Sequence, residues 1–153
     1  MVMDELEEKT AEDSSIFSRY LIGRLRHLMF NARLKELAPY HISPRQSTII
    51  FILYTLGHKA TLSELAKRTD RKMSTLSIQL VRMEKDGLVK KAREVPKSAQ
   101  KSIELTEKGV DLYKKSYDMK SVKEIMSILS EEERQQLISL LRKVISKAEK
   151  YQT

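Results

Sequence analysis

Apolar residues recur at three- and four-residue steps in two stretches, one near each end of the chain. In the first stretch the repeating positions are Ile16, Tyr20, Leu21, Leu25, Leu28 and Met29. This spacing puts them on one face of a helix over residues 15–37, which Pro39 closes. The second stretch follows a Ser130-to-Glu133 capping pattern, and its predicted helix carries an apolar stripe of Leu137, Leu140, Leu141, Val144, Ile145 and Ala148.

The segment after the first long helix predicts a buried helix. Ser43 can accept a hydrogen bond from the first turn, Pro44 suits the first helical position, and Gln46 can return the capping bond. The body of the helix, residues 49–53, is apolar nearly all round and rich in β-branched residues. That composition is also typical of a buried strand, but the cap favours a helix that ends at Gly57.

Two further helices follow, with only a short turn between them. Thr61 and Glu64 repeat the capping pattern at the start of a short helix that ends near Thr69. A helix over about 72–86 comes next, and it carries on one face Met73, Leu76, Leu80 and Met83. The predicted arrangement is helix, tight turn, helix.

Two short strands are predicted after Gly87, which can end the preceding helix in a left-handed conformation. They cover residues 88–91 and 102–105, and a polar, basic tip separates them. A further helix begins at Thr106. The predicted fold class is mainly α with a small β-wing, a winged helix-turn-helix. Its predicted organisation is a flexible acidic lead-in at 1–13 and a single unit at 14–153, with the winged region at 42–106 and flanking helices at 14–38 and 107–150.

Positive charge is concentrated in the middle of the chain. The formal net charge is +8, and residues 59–101 contain twelve Lys or Arg against five Asp or Glu. A local excess of this kind can neutralise phosphates and release counterions. A solvated basic surface would show the same composition, so charge alone leaves both interpretations open.

Several classes of chemistry are disfavoured by what the sequence lacks. Cysteine is absent, and the three histidines, His27, His41 and His58, have no ligand spacing, so no metal site is predicted. No catalytic constellation or phosphate loop occurs at useful spacing, so neither an enzyme nor a cofactor is predicted. Without an apolar run of about 20 residues or a leader, the expectation is a cytoplasmic protein with no membrane partner.

The helix over 72–86 has an outward face suited to a DNA major groove. Because Leu76, Leu80 and Met83 set the inward direction, the opposite face carries Ser74, Thr75, Ile78, Arg82 and Lys85. Hydroxyls can meet phosphates or base edges, Arg82 can pair with guanine or phosphate, and Ile78 can touch thymine methyl groups. Single exposed apolar residues are common, however, so the exposure of Ile78 alone does not establish that this face contacts DNA.

Four motifs occur in order along the middle of the chain. They are Leu62-Ser63-Glu64-Leu65-Ala66, Ser74-Thr75-Leu76-Ser77, Glu84-Lys85-Asp86-Gly87-Leu88-Val89 and Leu105-Thr106-Glu107-Lys108-Gly109. In this order and spacing the chain resembles the MarR family of winged helix-turn-helix transcription regulators. The resemblance is clearest over residues 60–110, and the flanking helices agree in placement.

The resemblance implies a homodimeric repressor on double-stranded DNA with an inverted-repeat operator. The terminal helices would interlock, recognition helices would enter major grooves and wings would reach minor grooves. The implied DNA-binding residues are Lys72, Ser74, Thr75, Ser77, Ile78, Arg82, Arg93, Lys97 and Lys101. The implied dimerisation residues are Ile16, Tyr20, Leu137, Leu141, Val144 and Ile145, although these stripes could instead complete the monomer core. Family members often bind anionic compounds, which leaves a small-molecule effector open, without assigned residues.

The sequence departs from the family pattern in three places. The wing tip has Lys97 and Lys101 where an aspartate–arginine signature is usual, and lysine suits a narrow minor groove less well than arginine. Asp70 is expected to cap the recognition helix in place of the commoner small hydroxyl residue. Ile78 and Val81 stand where polar or charged residues are common, which would alter base preference.

Two alternatives stay open at this stage, a protein-interaction module and a non-specific architectural DNA binder. A winged helix can bind a protein through the same face.

Overall fold

The computed structural model describes Glu5, residues 7–9, 13–92 and 101–152. The chain forms two compact units, Met1–Met119 and Lys120–Thr153. In the first unit the elements are α1 (Ser14–Leu37), a 3₁₀ helix (Ala38–Tyr40), α2 (Pro44–Thr55), β1 (Lys59–Thr61), α3 (Leu62–Thr69), α4 (Met73–Lys85), β2 (Val89–Ala92), β3 (Ser102–Leu105) and α5 (Glu107–Ser116). In the second they are α6 (Lys120–Met126) and α7 (Glu131–Glu149).

The predicted starts of the helices before the sheet agree with the structure. In α2, the Ser43 hydroxyl accepts from the Gln46 amide at 3.2 Å, and the Gln46 side chain accepts from the Ser43 amide at 2.9 Å. A second reciprocal box joins Thr61 and Glu64 at the start of α3. The Glu64 carboxylate accepts hydrogen bonds in this box, and they hold its pKa below the usual value. The bond from the Thr61 backbone amide has the largest effect. These boxes satisfy amides that helix geometry leaves without partners.

The turn between α3 and α4 differs from the expectation for Asp70. Asp70 adopts a left-handed conformation, with φ of 51°, and ends α3. It does not cap α4, because Lys72 occupies that position and makes no side-chain capping bond. Aspartate is among the few residues that tolerate left-handed backbone, so Asp70 serves the end of one helix and not the start of the next.

The small sheet has three antiparallel strands in the order β1-β3-β2. β2 and β3 lie within one residue of the predicted strands, and Lys91 faces Ile103 in their register. The strand β1 was not predicted from the sequence; in it, Ala60 pairs with Ile103 on the other edge of β3. Gly87 ends α4 with φ of 74°, as predicted.

The core of the first unit lies between the helices and the sheet. It is formed by the buried side chains Leu37, Ile49, Ile50, Leu53, Leu65, Leu76, Leu80, Met83, Leu88, Val89, Ile103 and Leu105. α4 contributes Leu76, Leu80 and Met83, as its apolar spacing predicts. Met73 does not join them, because it begins the helix at the edge of the core and is 50% exposed.

The second unit begins with a helix that sequence analysis did not resolve. α6 follows Met119, whose φ is 49°. α7 begins at the predicted Ser130 cap, where Ser130 and Glu133 form a capping box. Arg134 donates to the Leu129 carbonyl at 2.7 Å and fixes the turn before α7. Among the described residues, no helix has the length and apolar composition needed to cross a membrane.

Before α1, Glu5 and residues 7–9 are helical. The flexibility predicted for residues 1–13 stays a prediction.

Candidate nucleic-acid interface

The outward face of α4 is a continuous exposed surface. Leu76 and Met83 are fully buried and fix the rotation of the helix about its axis. The structure accordingly leaves exposed Ser74, Thr75, Ile78, Val81, Arg82 and Lys85, while Ser77 is half-buried at the flank. Two of the exposed residues are apolar, Ile78 at 61% and Val81 at 58%. The face combines hydroxyls, two cations and two branched apolar side chains.

The turn that precedes α4 adds a basic group that sequence analysis did not select. The half-buried Arg71 donates to the Gln79 side-chain oxygen on α4 at 3.2 Å. Partial burial, with a smaller contribution from the Arg45 guanidinium, holds the pKa of Arg71 below its ordinary value. Arg45 itself lies over the Phe30 ring, 5.7 Å from its centre. Lys72, which was predicted to bind DNA, is exposed in the same turn.

The sheet brings further lysines beside α4. Lys90 and Lys91 are exposed on β2, and each lies 3.8 Å from a carboxylate, of Glu104 and Glu84 respectively. Exposed pairs of this length contribute little to stability, so these ammonium groups can exchange partners readily. Lys101 is exposed just before β3. The predicted wing residues Arg93 and Lys97 lie outside the described residues.

A groove of about 190 Å³ separates α4 from the strands. Its lining includes Ser77, Leu80 and Val81 from α4, and Val89, Lys101 and Ile103 from the sheet region. The charged side chains of the lining are Lys90, Lys91, Lys101 and Glu84. Val81 of the outward face of α4 and the strand lysines therefore border the same groove.

The predicted dimerisation residues lie on helices with exposed apolar side chains. On α1, Ile16 is exposed and Tyr20 is half-buried, and the same helix exposes Leu21, Ile22, Leu25, Leu28 and Leu34. On α7, Leu137 and Leu141 are half-buried, whereas Val144 and Ile145 are exposed. Helices that each expose several large apolar side chains are typical of interaction sites.

A buried arginine joins α1 to the winged region, and no sequence pattern pointed to it. Arg33 is 7% exposed. Its guanidinium donates to the Ser116 carbonyl at 2.8 Å and to the Ser47 hydroxyl at 3.3 Å, and it forms an ion pair with Glu36 at 3.1 Å. These contacts tie the end of α1 to α2 and to the last turn of α5.

No group of three or more His, Asp or Glu side chains suited to a metal ion occurs in the part of the chain that the structure describes. Together, the three-stranded sheet, the α3–α4 pair and the exposed basic face define a winged helix-turn-helix protein. Residues 42–95 match the sequence model of the MarR family. The resemblance to the MarR family predicted from the motifs is therefore confirmed over these residues.

Solved structures show the same transcriptional-regulator fold. The organohalide-sensing RdhR-CbdbA1625 transcriptional regulator, in a 2,4-dichlorophenol-bound form, is 27% identical and superposes with a TM-score of 0.79 over 86% of this chain and 79% of its own. A DNA complex of MepR from S. aureus is 26% identical, with a TM-score of 0.77 over 85% of this chain and 95% of that one. AbsC from Streptomyces coelicolor shares the fold at 22% identity, with a TM-score of 0.81 over 90% and 95% of the two chains. No curated protein sequence matches the chain.

Proposed function

We propose that this chain is a DNA-binding transcription regulator that acts as a homodimeric repressor on an inverted-repeat operator. The observation that carries the proposal is the exposed face of α4, which carries Arg82 and Lys85 as well as the hydroxyls of Ser74 and Thr75. Arginine and hydroxyl side chains are the groups that contact phosphates and base edges in a major groove. The fold similarity to MepR in its DNA complex supports the same use of this surface.

In this proposal each part of the surface has a distinct role. α4 enters the major groove, where Arg82 reads a guanine and Ser74, Thr75 and Ser77 contact phosphates or base edges. Lys72 and Lys101, with Arg93 and Lys97 of the wing, neutralise backbone phosphates outside that groove. Because lysine holds a phosphate without a preferred groove width, we expect the wing to add affinity more than sequence preference.

The homodimer would be formed by the apolar faces of α1 and α7. In a two-fold dimer the two copies of α4 would lie about one turn of the DNA double helix apart, so the operator would be an inverted repeat. The 2,4-dichlorophenol-bound form of the organohalide-sensing neighbour supports an effector of small, anionic or phenolic type for this chain. Binding of such a compound would release the repressor if the compound binds the DNA-free form more tightly.

The test is Arg82→Ala, measured by fluorescence anisotropy on a duplex that the protein has selected from a random-sequence pool. Loss of a guanine contact is expected to lower affinity about 5- to 150-fold and to relax preference at one position. Arg142→Ala removes the same charge from an exposed site on α7 and serves as the matched control. Unchanged affinity and preference in Arg82→Ala would remove this residue from base recognition.

A protein-interaction module is the second candidate, because Ile78 and Val81 expose apolar surface on the same face. The salt dependence of the binding affinity distinguishes the two functions. Affinity for DNA falls steeply as salt rises, since bound counterions are released, whereas an apolar protein contact changes little. A shallow salt dependence with every partner tested would favour the second candidate.

A further inference from the structure

Two apolar side chains lie near the centre of the outward face of α4. Ile78 is 61% exposed and Val81 is 58% exposed. They are three residues apart on a helix, so their Cβ atoms are neighbours at roughly 5–6 Å. Ser74 precedes Ile78 by one turn and Lys85 follows Val81 by one turn, which makes a single line of four side chains along the helix.

Folding of the domain does not account for this pair. Leu76, Leu80 and Met83 supply the contact of α4 with the hydrophobic core, and neither Ile78 nor Val81 packs against that core. Val81 borders the groove beside the strands, yet more than half of its surface stays exposed. Both side chains are also β-branched, which lowers helix propensity slightly. Two neighbouring apolar residues at the centre of a polar face therefore suggest a ligand.

The charges around the pair indicate which ligand would cover it. Arg82 and Lys85 lie on the same face, and Lys90, Lys91 and Lys101 lie across the groove. Lys90 and Lys91 each have a carboxylate nearby, but a purely apolar protein partner would bury Arg82, Lys85 and Lys101 without supplying counter-charges, which is unfavourable. Duplex DNA supplies phosphates for the cations, and its major groove exposes one apolar group, the C5 methyl of thymine. Charge complementarity therefore favours duplex DNA over a protein.

We infer that Ile78 and Val81 are specificity-determining residues that each contact a thymine methyl group in the operator half-site. The inference rests on the proposed function and specifies which chemical groups of the operator the α4 face contacts. The separation of their Cβ atoms, roughly 5–6 Å, lies between one and two base steps of about 3.4 Å. The two thymines therefore lie on adjacent base pairs or one pair apart, and the centre of each half-site is rich in A·T pairs.

The experiment replaces each thymine of the selected duplex in turn by deoxyuridine, which removes only the methyl group and keeps base pairing. For wild-type protein, two positions in each half-site are expected to lose about 4-fold in affinity, which corresponds to about 0.8 kcal/mol for one buried carbon. Ile78→Ala is expected to abolish the effect at one of these positions and to retain it at the other. Val81→Ala should give the reverse pattern, so each variant is the control for the other.

The variants are suited to this test because both side chains are exposed, and unchanged melting temperatures verify that both proteins fold. Selective binding with no loss at any deoxyuridine would overturn this inference and leave the proposed function standing. Losses that persist in both variants would also overturn it, because other residues would then read the methyl groups. Failure to enrich any duplex would overturn both this inference and the proposed function.

Discussion

Gly109 lies where α5 passes close to the segment that follows α4. A Cβ atom at this position would collide with the Leu88 carbonyl oxygen and would lie 2.9 Å from a methyl carbon of Leu105. The glycine of the Leu105-to-Gly109 motif is therefore required by close packing between α5 and the backbone after α4. Through this contact, α5 holds the end of α4 against the sheet.

Gly109→Ala is expected to lower the free energy of unfolding by about 1–3 kcal/mol, because overpacking outweighs the better helix propensity of alanine. Gly23→Ala in α1 is the matched control, since nothing lies within 4 Å of a Cβ at that position. The control is expected to stabilise α1 by up to about 1 kcal/mol. Urea denaturation of both proteins measures the difference, and equal stability of Gly109→Ala and wild type would contradict the packing argument.

Residue-level chemistry was predictable where it depends on local spacing and was missed where it depends on distant partners. The exposure of Ser74, Thr75 and Arg82 follows from the buried positions of α4 alone. The role of Arg33 does not, because its main partner, the Ser116 carbonyl, is 83 residues away in the chain. The prediction for Asp70 was wrong because only three residues separate the end of α3 at Thr69 from the start of α4 at Met73, so a capping residue in the turn can belong to either helix.

At the scale of elements, capping chemistry was the most dependable signal. Ser43, Thr61 and Ser130 each begin a helix in the structure with a reciprocal box. β1 was not predicted because three residues are too few to show the alternation of apolar and polar positions that marks a strand. It is a strand because it pairs with β3. α6 escaped because Met119 adopts left-handed backbone at a boundary that has no glycine or proline. The predicted wing tip lies outside the described residues.

The contact between elements that we expect to matter most is the one made by Arg33. Arg33→Met keeps most of the aliphatic stem but removes the hydrogen bonds that join α1 to α2 and α5. The expected loss in unfolding free energy is about 1.5–3 kcal/mol, the usual contribution of hydrogen bonds to a charged group. Arg26→Met, at an exposed site on α1, should change stability by less than about 0.5 kcal/mol. A similar effect of both substitutions on thermal unfolding would show that Arg33 does not hold these elements together.

At the scale of the whole molecule, most of the basic excess and most of the exposed apolar side chains lie on different elements. The positive excess belongs to the segment from β1 to β3, and it includes the lysines and arginines around α4. Most of the exposed large apolar side chains lie on α1 and α7, outside that segment, whereas Met73, Ile78 and Val81 are exposed on α4 within it. This separation fits a protein that meets phosphates with one part of its chain and a second copy of itself with another.

The measurement that tests this account most directly is selection of duplexes from a random-sequence pool at near-physiological salt, followed by sequencing of the retained DNA. The account predicts an enriched inverted repeat with half-sites about one helical turn apart. It also predicts A·T pairs near the centre of each half-site. Retention of duplexes without any enriched sequence, or retention of none, would contradict sequence-specific recognition by a homodimer.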